Sequence, residues 1–298
     1  MTLSRGAAGR VDLDVFARHV QFVHSAGAEG FVLNGATGEY CLTLPQELGQ
    51  IVRRARDVTG AATTLIAAIG GASLFQTLAL AEKAQEAGAD ALLLPMPYFF
   101  PYEQQDLIAY STHVAAQTDL PLLLYNLPDF TTPLEPATTL ELLQETRIVG
   151  IKDSSGNLET LRLLTRSLPK ANRIIGSDGA LHAALLEGLC DGVVSGVASV
   201  LPELMVAFYY AAAAAPQSSA ALELKGSLDA TLSWLGRFPS PWGLKIIAAE
   251  RGFLIADYAL PISPHRQADA AEFKQWFQAN RGRLLATSFL NRNLSAIP

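Results

Sequence analysis

The run Arg147-Ile148-Val149-Gly150-Ile151-Lys152-Asp153-Ser154-Ser155-Gly156 is apolar and mostly β-branched from Ile148 until it meets one lysine, and then it turns polar and ends on glycine. Ile148–Lys152 therefore reads as a buried strand closed by a turn. The segment behind it, near 157–168, carries leucines at helical spacing. The same unit recurs in both directions along the chain. Further strands are predicted at Phe31–Asn34, Thr64–Ile69, Ala91–Pro95, Leu122–Asn126, Arg173–Gly176 and Gly192–Val194. Helices are predicted near 12–26, 45–59, 74–87, 103–118, 138–145 and 179–188, several of them stopped by glycine in Ala26-Gly27, Ala87-Gly88 and Glu187-Gly188. Strand and helix in strict alternation predict a parallel sheet with helices outside it.

The fold expected is α/β, a (β/α)8 TIM barrel with a C-terminal helical extension. Seven strands are countable. An eighth would have to lie in Met1–Arg10, where two glycines and two arginines make a poor strand. Past the last strand the alternation stops, and helices are predicted near 202–214, 217–235, 241–251 and 266–280. The expected division is a barrel over 1–200, its first strand short or irregular, and a helical region over 201–298 packed on the barrel.

Of the 298 residues, 50% are hydrophobic and 17% charged, enough apolar surface for a large core. Mean hydropathy is +0.23. No apolar run reaches the roughly 18 residues of a membrane span, and Met1–Gly6 lacks the apolar centre of a signal peptide. A cytoplasmic protein with no membrane partner is the expectation. The net charge is −6 with both signs interspersed, which argues against nucleic acid. Cys41 and Cys190 stand far apart, and the five histidines show no ligand spacing, so no metal is expected.

In such a barrel, chemistry collects at the C-terminal ends of the strands. Lys152 sits at one of them, whereas the other five lysines fall in helices or their flanks. Burial strips hydration from an ammonium and favours the neutral amine. A neutral amine condenses with a ketone to a Schiff base. Strand alternation puts Ile148, Gly150 and Lys152 on the barrel's inner face and Val149 and Ile151 on the outer one. Gly150 is expected to make room below the lysine. By the same rule Leu123 and Tyr125 share a face, and Tyr125 can shuttle a proton to the lysine's substrate. The turn Gly35-Ala36-Thr37-Gly38 offers backbone N–H groups and the Thr37 hydroxyl to a carboxylate. Ser177-Asp178-Gly179 suits hydroxyl binding, since the Asp178 carboxylate would repel a phosphate. Val194 and Ser195 end the last strand.

These residues resemble the family of dihydrodipicolinate synthase and N-acetylneuraminate lyase, the pyruvate-type class I aldolases. The resemblance rests on Gly35-Ala36-Thr37-Gly38-Glu39, Tyr125-Asn126-Leu127-Pro128, Gly150-Ile151-Lys152-Asp153 and Gly176-Ser177-Asp178, in family order and spacing, and runs from about Val11 to about Phe277. It implies the barrel, a homotetramer arranged as a dimer of dimers, and no metal or organic cofactor. It also implies Lys152 as Schiff-base lysine, Tyr125 as proton relay and Thr37 as carboxylate binder. Three positions depart from the synthase. Ala36 and Phe99 stand where it has the threonine and second tyrosine of a hydroxyl relay, and Phe130 where it has an arginine for the incoming aldehyde's carboxylate. A site built on such donors discriminates strongly by them, so their loss points away from the synthase's substrate. Asp178 matches a contact of the neuraminate lyases to sugar hydroxyls, although Gly179 lacks their adjacent acidic side chain.

The function expected is a class I lyase acting on pyruvate or a 4-hydroxy-2-oxo acid. The best substrate is a 2-keto-3-deoxy sugar acid, cleaved or dehydrated. Phe99, Phe100 and Phe130 are alternatively the lining of an apolar aldehyde pocket. Two other readings stand beside it: dihydrodipicolinate synthase with a substituted relay, and a non-catalytic 2-oxo acid binding protein.

Overall fold

The computed structural model describes residues 1–6, 9–144 and 147–285. In chain order the helices are α1 (Leu13–Ser25), α2 (Pro45–Thr59), α3 (Leu74–Glu86), α4 (Gln104–Ala116), α5 (Pro136–Leu142), α6 (Glu159–Ser167), α7 (Leu181–Leu186), α8 (Pro202–Ala214), α9 (Ser219–Leu235), α10 (Trp242–Glu250) and α11 (Pro264–Leu284). The strands are β1 (Gly30–Leu33), β2 (Thr64–Ala68), β3 (Ala91–Pro95), β4 (Leu122–Asn126), β5 (Ile148–Asp153), β6 (Asn172–Ile175) and β7 (Gly192–Val193). The fold class is the expected TIM barrel with C-terminal helices, with seven strands in its sheet among the described residues.

The chain forms two compact units. One holds Met1 and Glu29–Val194; the other holds Thr2–Ala28 and the chain from Ser195 onward. In the first, β1 to β7 pair in sequence order, and every pair is parallel. Each βα unit places its strand beside the previous one, and α2 to α6 pack on one another in turn. The central strands are apolar on both faces: all five residues of β4 are buried, as are Leu92, Leu93 and Leu94 of β3. The expected glycine stops all adopt positive φ, +101° at Gly27, +88° at Gly88 and +65° at Gly188, the left-handed geometry that a helix end favours.

In the second unit, α1 starts on the Asp12 carboxylate, which accepts from the Asp14 and Val15 N–H groups. Phe16, Val20 and Val23 then form its buried stripe. Helix α8 packs on α9, and α9, α10 and α11 pack on one another. Trp234 stacks on Phe273 at 5.4 Å between ring centroids. The Arg251 guanidinium donates to both Glu203 carboxylate oxygens, at 2.9 and 2.6 Å. Among the described residues no helix is long and apolar enough to cross a membrane.

Three expectations change. No strand forms among the described residues of 1–10. The Gly6 N–H donates to the Arg10 carbonyl and the Asp12 N–H to that of Ser4 around a single Arg5–Val11 bridge, while the Arg5 N–H donates to the Asp257 carboxylate, so the backbone groups here find turn and side-chain partners in place of a strand ladder. Second, strict alternation along β5 is broken. Leu122 pairs with Ile148 but Leu123 pairs with Gly150, which makes Val149 an extra residue in the ladder. Val149 therefore packs on the cluster of Leu123 and Tyr125. Third, Gly150 does not make room for the lysine. A Cβ there would lie 2.2 Å from the Asn172 carbonyl oxygen of the next strand, so the glycine serves close strand approach. Helix ends move by a few residues where caps decide them. Pro136 opens α5 and Pro264 opens α11, while the expected helix end at 145 lies outside the described residues.

Candidate active site

Strand pairing alone brings the two central side chains together. Tyr125 on β4 is in register with Lys152 on β5, and Lys152 in turn with Ile174 on β6. The lysine amine donates to the Tyr125 hydroxyl at 3.0 Å and lies 4.1 Å from the centre of its ring. Lys152 is 6% exposed and Tyr125 2%. Among the described residues no carboxylate pairs with this amine; its polar partner is the phenol.

The surroundings are apolar below and polar above. Tyr125 belongs to a buried cluster with Tyr40, Ala68, Leu93, Leu123 and Leu127, against which Ala36 and Tyr98 pack. Two features here were not anticipated. Gly176, just past β6, is the residue that accommodates the lysine. A Cβ there would lie 2.7 Å from Lys152 Cε and 2.1 Å from Ser154 Oγ. Ser154 Oγ is itself buried without a hydrogen-bond partner among the described residues. The other is Tyr40, whose ring lies over Gly70 and meets Tyr98 edge-on at 5.8 Å. Burial, then the neighbouring Cys41, Tyr98, Tyr125 and Tyr110, pushes the Tyr40 phenol well above the usual tyrosine range, so it stays protonated. The only signal for it in the sequence was its place directly after Glu39.

The Gly176 contact gives a direct test. Gly176→Ala is expected to displace the lysine side chain and lower kcat/KM by about 100-fold, the usual scale for a misplacement of about 1 Å. Steady-state kinetics with circular dichroism as the fold control reads this. An unchanged kcat/KM in a folded variant would mean that the amine reaches its target from another rotamer.

The turn after β1 is a short 3-10 segment, Ala36–Gly38, followed by Glu39 in the left-handed region at φ +54°. Part of its N–H display is used internally, from Gly38 to the Gly35 carbonyl and from Glu39 to that of Ala36. That pattern leaves the Ala36 and Thr37 N–H groups at the open end, with both residues half-buried. Asn34 anchors the turn by donating to the Ala68 carbonyl at 2.9 Å. Asp178 opens a 3-10 turn directly after β6 and is half-buried. The Val194 N–H donates to the Ile175 carbonyl at 3.0 Å, continuing the β6–β7 ladder. Ser195 lies in the other unit, where its hydroxyl accepts from the Ala198 N–H. Phe99 and Phe130 are not gathered around the lysine in this chain. Phe99 is 84% exposed at φ +87°, edge-on to Phe100, and Phe130 is 50% exposed. Among the described residues no group of three or more His, Cys, Asp or Glu could hold a metal ion.

Residues 3–280 match the Dihydrodipicolinate synthetase family. An uncharacterized DapA-like lyase of Halobacterium salinarum is 32% identical over 250 residues, which cover 82% of this chain and 80% of that protein. The 4-hydroxy-tetrahydrodipicolinate synthase of Thiobacillus denitrificans is 33% identical over 259 residues, 86% of either chain. Among solved structures, YagE, a prophage protein of the dihydrodipicolinic acid synthase family from E. coli K12 in complex with pyruvate, superposes with a TM-score of 0.84 at 25% identity, covering 94% of this chain and 96% of its own.

Proposed function

This chain belongs to the dihydrodipicolinate synthetase family and is a lyase, and we propose that it works as a class I, Schiff-base-forming aldolase on a 2-keto-3-deoxy sugar acid. The observation that carries the proposal is the buried 3.0 Å contact between the Lys152 amine and the Tyr125 hydroxyl at the C-terminal ends of adjacent strands. In its neutral form the amine adds to the C2 carbonyl of the 2-oxo acid, and loss of water gives an iminium. Tyr125 takes the proton of the C4 hydroxyl. The C3–C4 bond then breaks, its electron pair flowing into the iminium to give an enamine, and an aldehyde leaves. Protonation at C3 and hydrolysis release pyruvate and restore the lysine. Ala36 and Thr37 receive the substrate carboxylate through their N–H groups and the Thr37 hydroxyl. Asp178 receives sugar hydroxyls, and Val194, just past β7, completes the binding set. No metal or organic cofactor takes part in this scheme.

The absence of two hydroxyls and a guanidinium, at Ala36, Phe99 and Phe130, supports a sugar acid over an aldehyde bearing its own carboxylate. The names of several relatives favour a second reading, 4-hydroxy-tetrahydrodipicolinate synthase. A homotetramer in the cytoplasm, with a barrel over 1–200 and a helical region over 201–298, belongs to the same proposal. Support for self-assembly comes from large apolar side chains left exposed on the segments that follow β1 to β4, namely Leu44, Phe99, Phe100 and Phe130 on loops and Phe75 in the first turn of α3.

The test has two parts. Pyruvate and borohydride are expected to leave a covalent adduct on the protein, read as a mass increase, and an unmodified mass would end the Schiff-base reading. A screen for pyruvate release from keto-deoxy sugar acids is then expected to find turnover. Turnover of pyruvate with aspartate semialdehyde alone would establish the second reading instead.

A further inference from the structure

One step beyond the Tyr125–Lys152 pair, Asn126 and Asp153 are in register on the same two strands. They are 4% and 1% exposed. Alternation turns them to the sheet face opposite the lysine and the phenol. The Asn126 amide donates from Nδ2 to Asp153 Oδ2 at 3.2 Å and accepts at Oδ1 from the Leu134 N–H at 3.0 Å. Asp153 Oδ1 accepts from the Ser155 N–H at 2.8 Å and from its hydroxyl at 2.5 Å. Backbone bonds run beside them, from the Ser154 N–H to the Asn126 carbonyl and from the Gly176 N–H to the Asp153 carbonyl.

The order of donors and acceptors is fixed along this chain. Leu134 and Ser155 can only donate from their N–H groups, and a carboxylate can only accept. An amide at 126 supplies the acceptor and the donor needed between them. We propose that Asn126 and Asp153 are positioning residues, a cross-strand clamp that sets β4 against β5 and so holds the Tyr125 hydroxyl on the Lys152 amine. The clamp also ties in Gly176, the residue that leaves space for the lysine. This inference rests on the Schiff-base reading of Lys152. It goes beyond that reading by assigning the geometry of the pair to two residues on the opposite face of the sheet.

The polarity argument supplies the test. In Asp153→Asn, an NH2 group meets the Asn126 NH2 group. Flipping Asn126 only moves the conflict to the Leu134 N–H. In Asn126→Asp, two carboxylates face each other. In the reciprocal double variant Asn126→Asp/Asp153→Asn, every hydrogen bond is restored. The carboxylate introduced on β4 would accept from the Leu134 N–H and from the amide introduced on β5, whose oxygen accepts from Ser155. Each single variant is expected to lower kcat for pyruvate release by about tenfold or more, with KM within about threefold, as loss of orientation predicts. The double variant is expected to recover to within about threefold of the wild type, a coupling that only neighbours show. Folded fraction from circular dichroism normalises each value. Single variants that keep kcat within about twofold, singles that do not fold at all, or a double no better than the worse single would each overturn the clamp. A wild-type protein that forms no borohydride adduct would instead overturn the reading on which it rests.

Discussion

Lys152→Ala is expected to form no covalent adduct with pyruvate and borohydride, and to lose at least roughly 10⁴-fold in turnover, about 5 kcal/mol of barrier. Both follow from chemistry that no neighbour can supply. The amine is the electron sink's attachment point, and without it the C3–C4 bond has nowhere to send its electrons. The variant is expected to fold. The truncation leaves a small space beside Gly176 and an unpartnered Tyr125 hydroxyl, a loss of about 1–3 kcal/mol, while removing a buried amine that has no carboxylate partner among the described residues. Mass spectrometry after reduction reads the adduct directly. An adduct on the variant would move the nucleophile elsewhere. The other buried lysine among the described residues, Lys245, is a poor substitute, since its amine is held by the Asp257 carboxylate at 3.0 Å.

Tyr125→Phe separates proton transfer from packing. The ring stays in its cluster with Leu123, Leu93 and Tyr40 and under the lysine amine, so stability is expected to change little. Only the oxygen 3.0 Å from the amine is removed. Pyruvate is still expected to form an adduct, because the amine remains, but kcat for C–C cleavage is expected to fall by roughly 10²- to 10⁴-fold, the range for a general acid–base group. Single-turnover kinetics distinguishes the two steps. A kcat within a few-fold of wild type would hand the proton to another group. Tyr40, protonated and in the same cluster, would be the next to examine.

The sequence carried these two residues because strand ends are legible. A β-branched run broken by a single lysine is a local pattern, and so is Leu-Leu-Leu-Tyr-Asn. Their pairing was inferred from parity, and it held at Tyr125 and Lys152 although strict alternation failed earlier on β5, at Val149. A bulge depends on how two strands meet, and no property of Val149 alone announces it. Gly150 and Gly176 show the same limit from the other side. Both are glycines at or just past strand positions. One admits the backbone of the next strand and the other admits the lysine, and the difference lies only in what stands opposite. Asn126 and Asp153 were visible as motif letters, but their joint role emerges only once register places them side by side.

Period and punctuation by themselves determined the βα alternation, the glycine stops and the place of the lysine near a strand end, because helix and strand periodicity and left-handed turns are properties of neighbouring residues. Tertiary structure alone decided which glycine yields to the lysine, which way Val149 faces, why the described residues of 1–10 form no strand and where the aromatic side chains of Phe99 and Phe130 stand. Each of those depends on contacts that local pattern does not encode, and a contact's geometry is set by both partners at once.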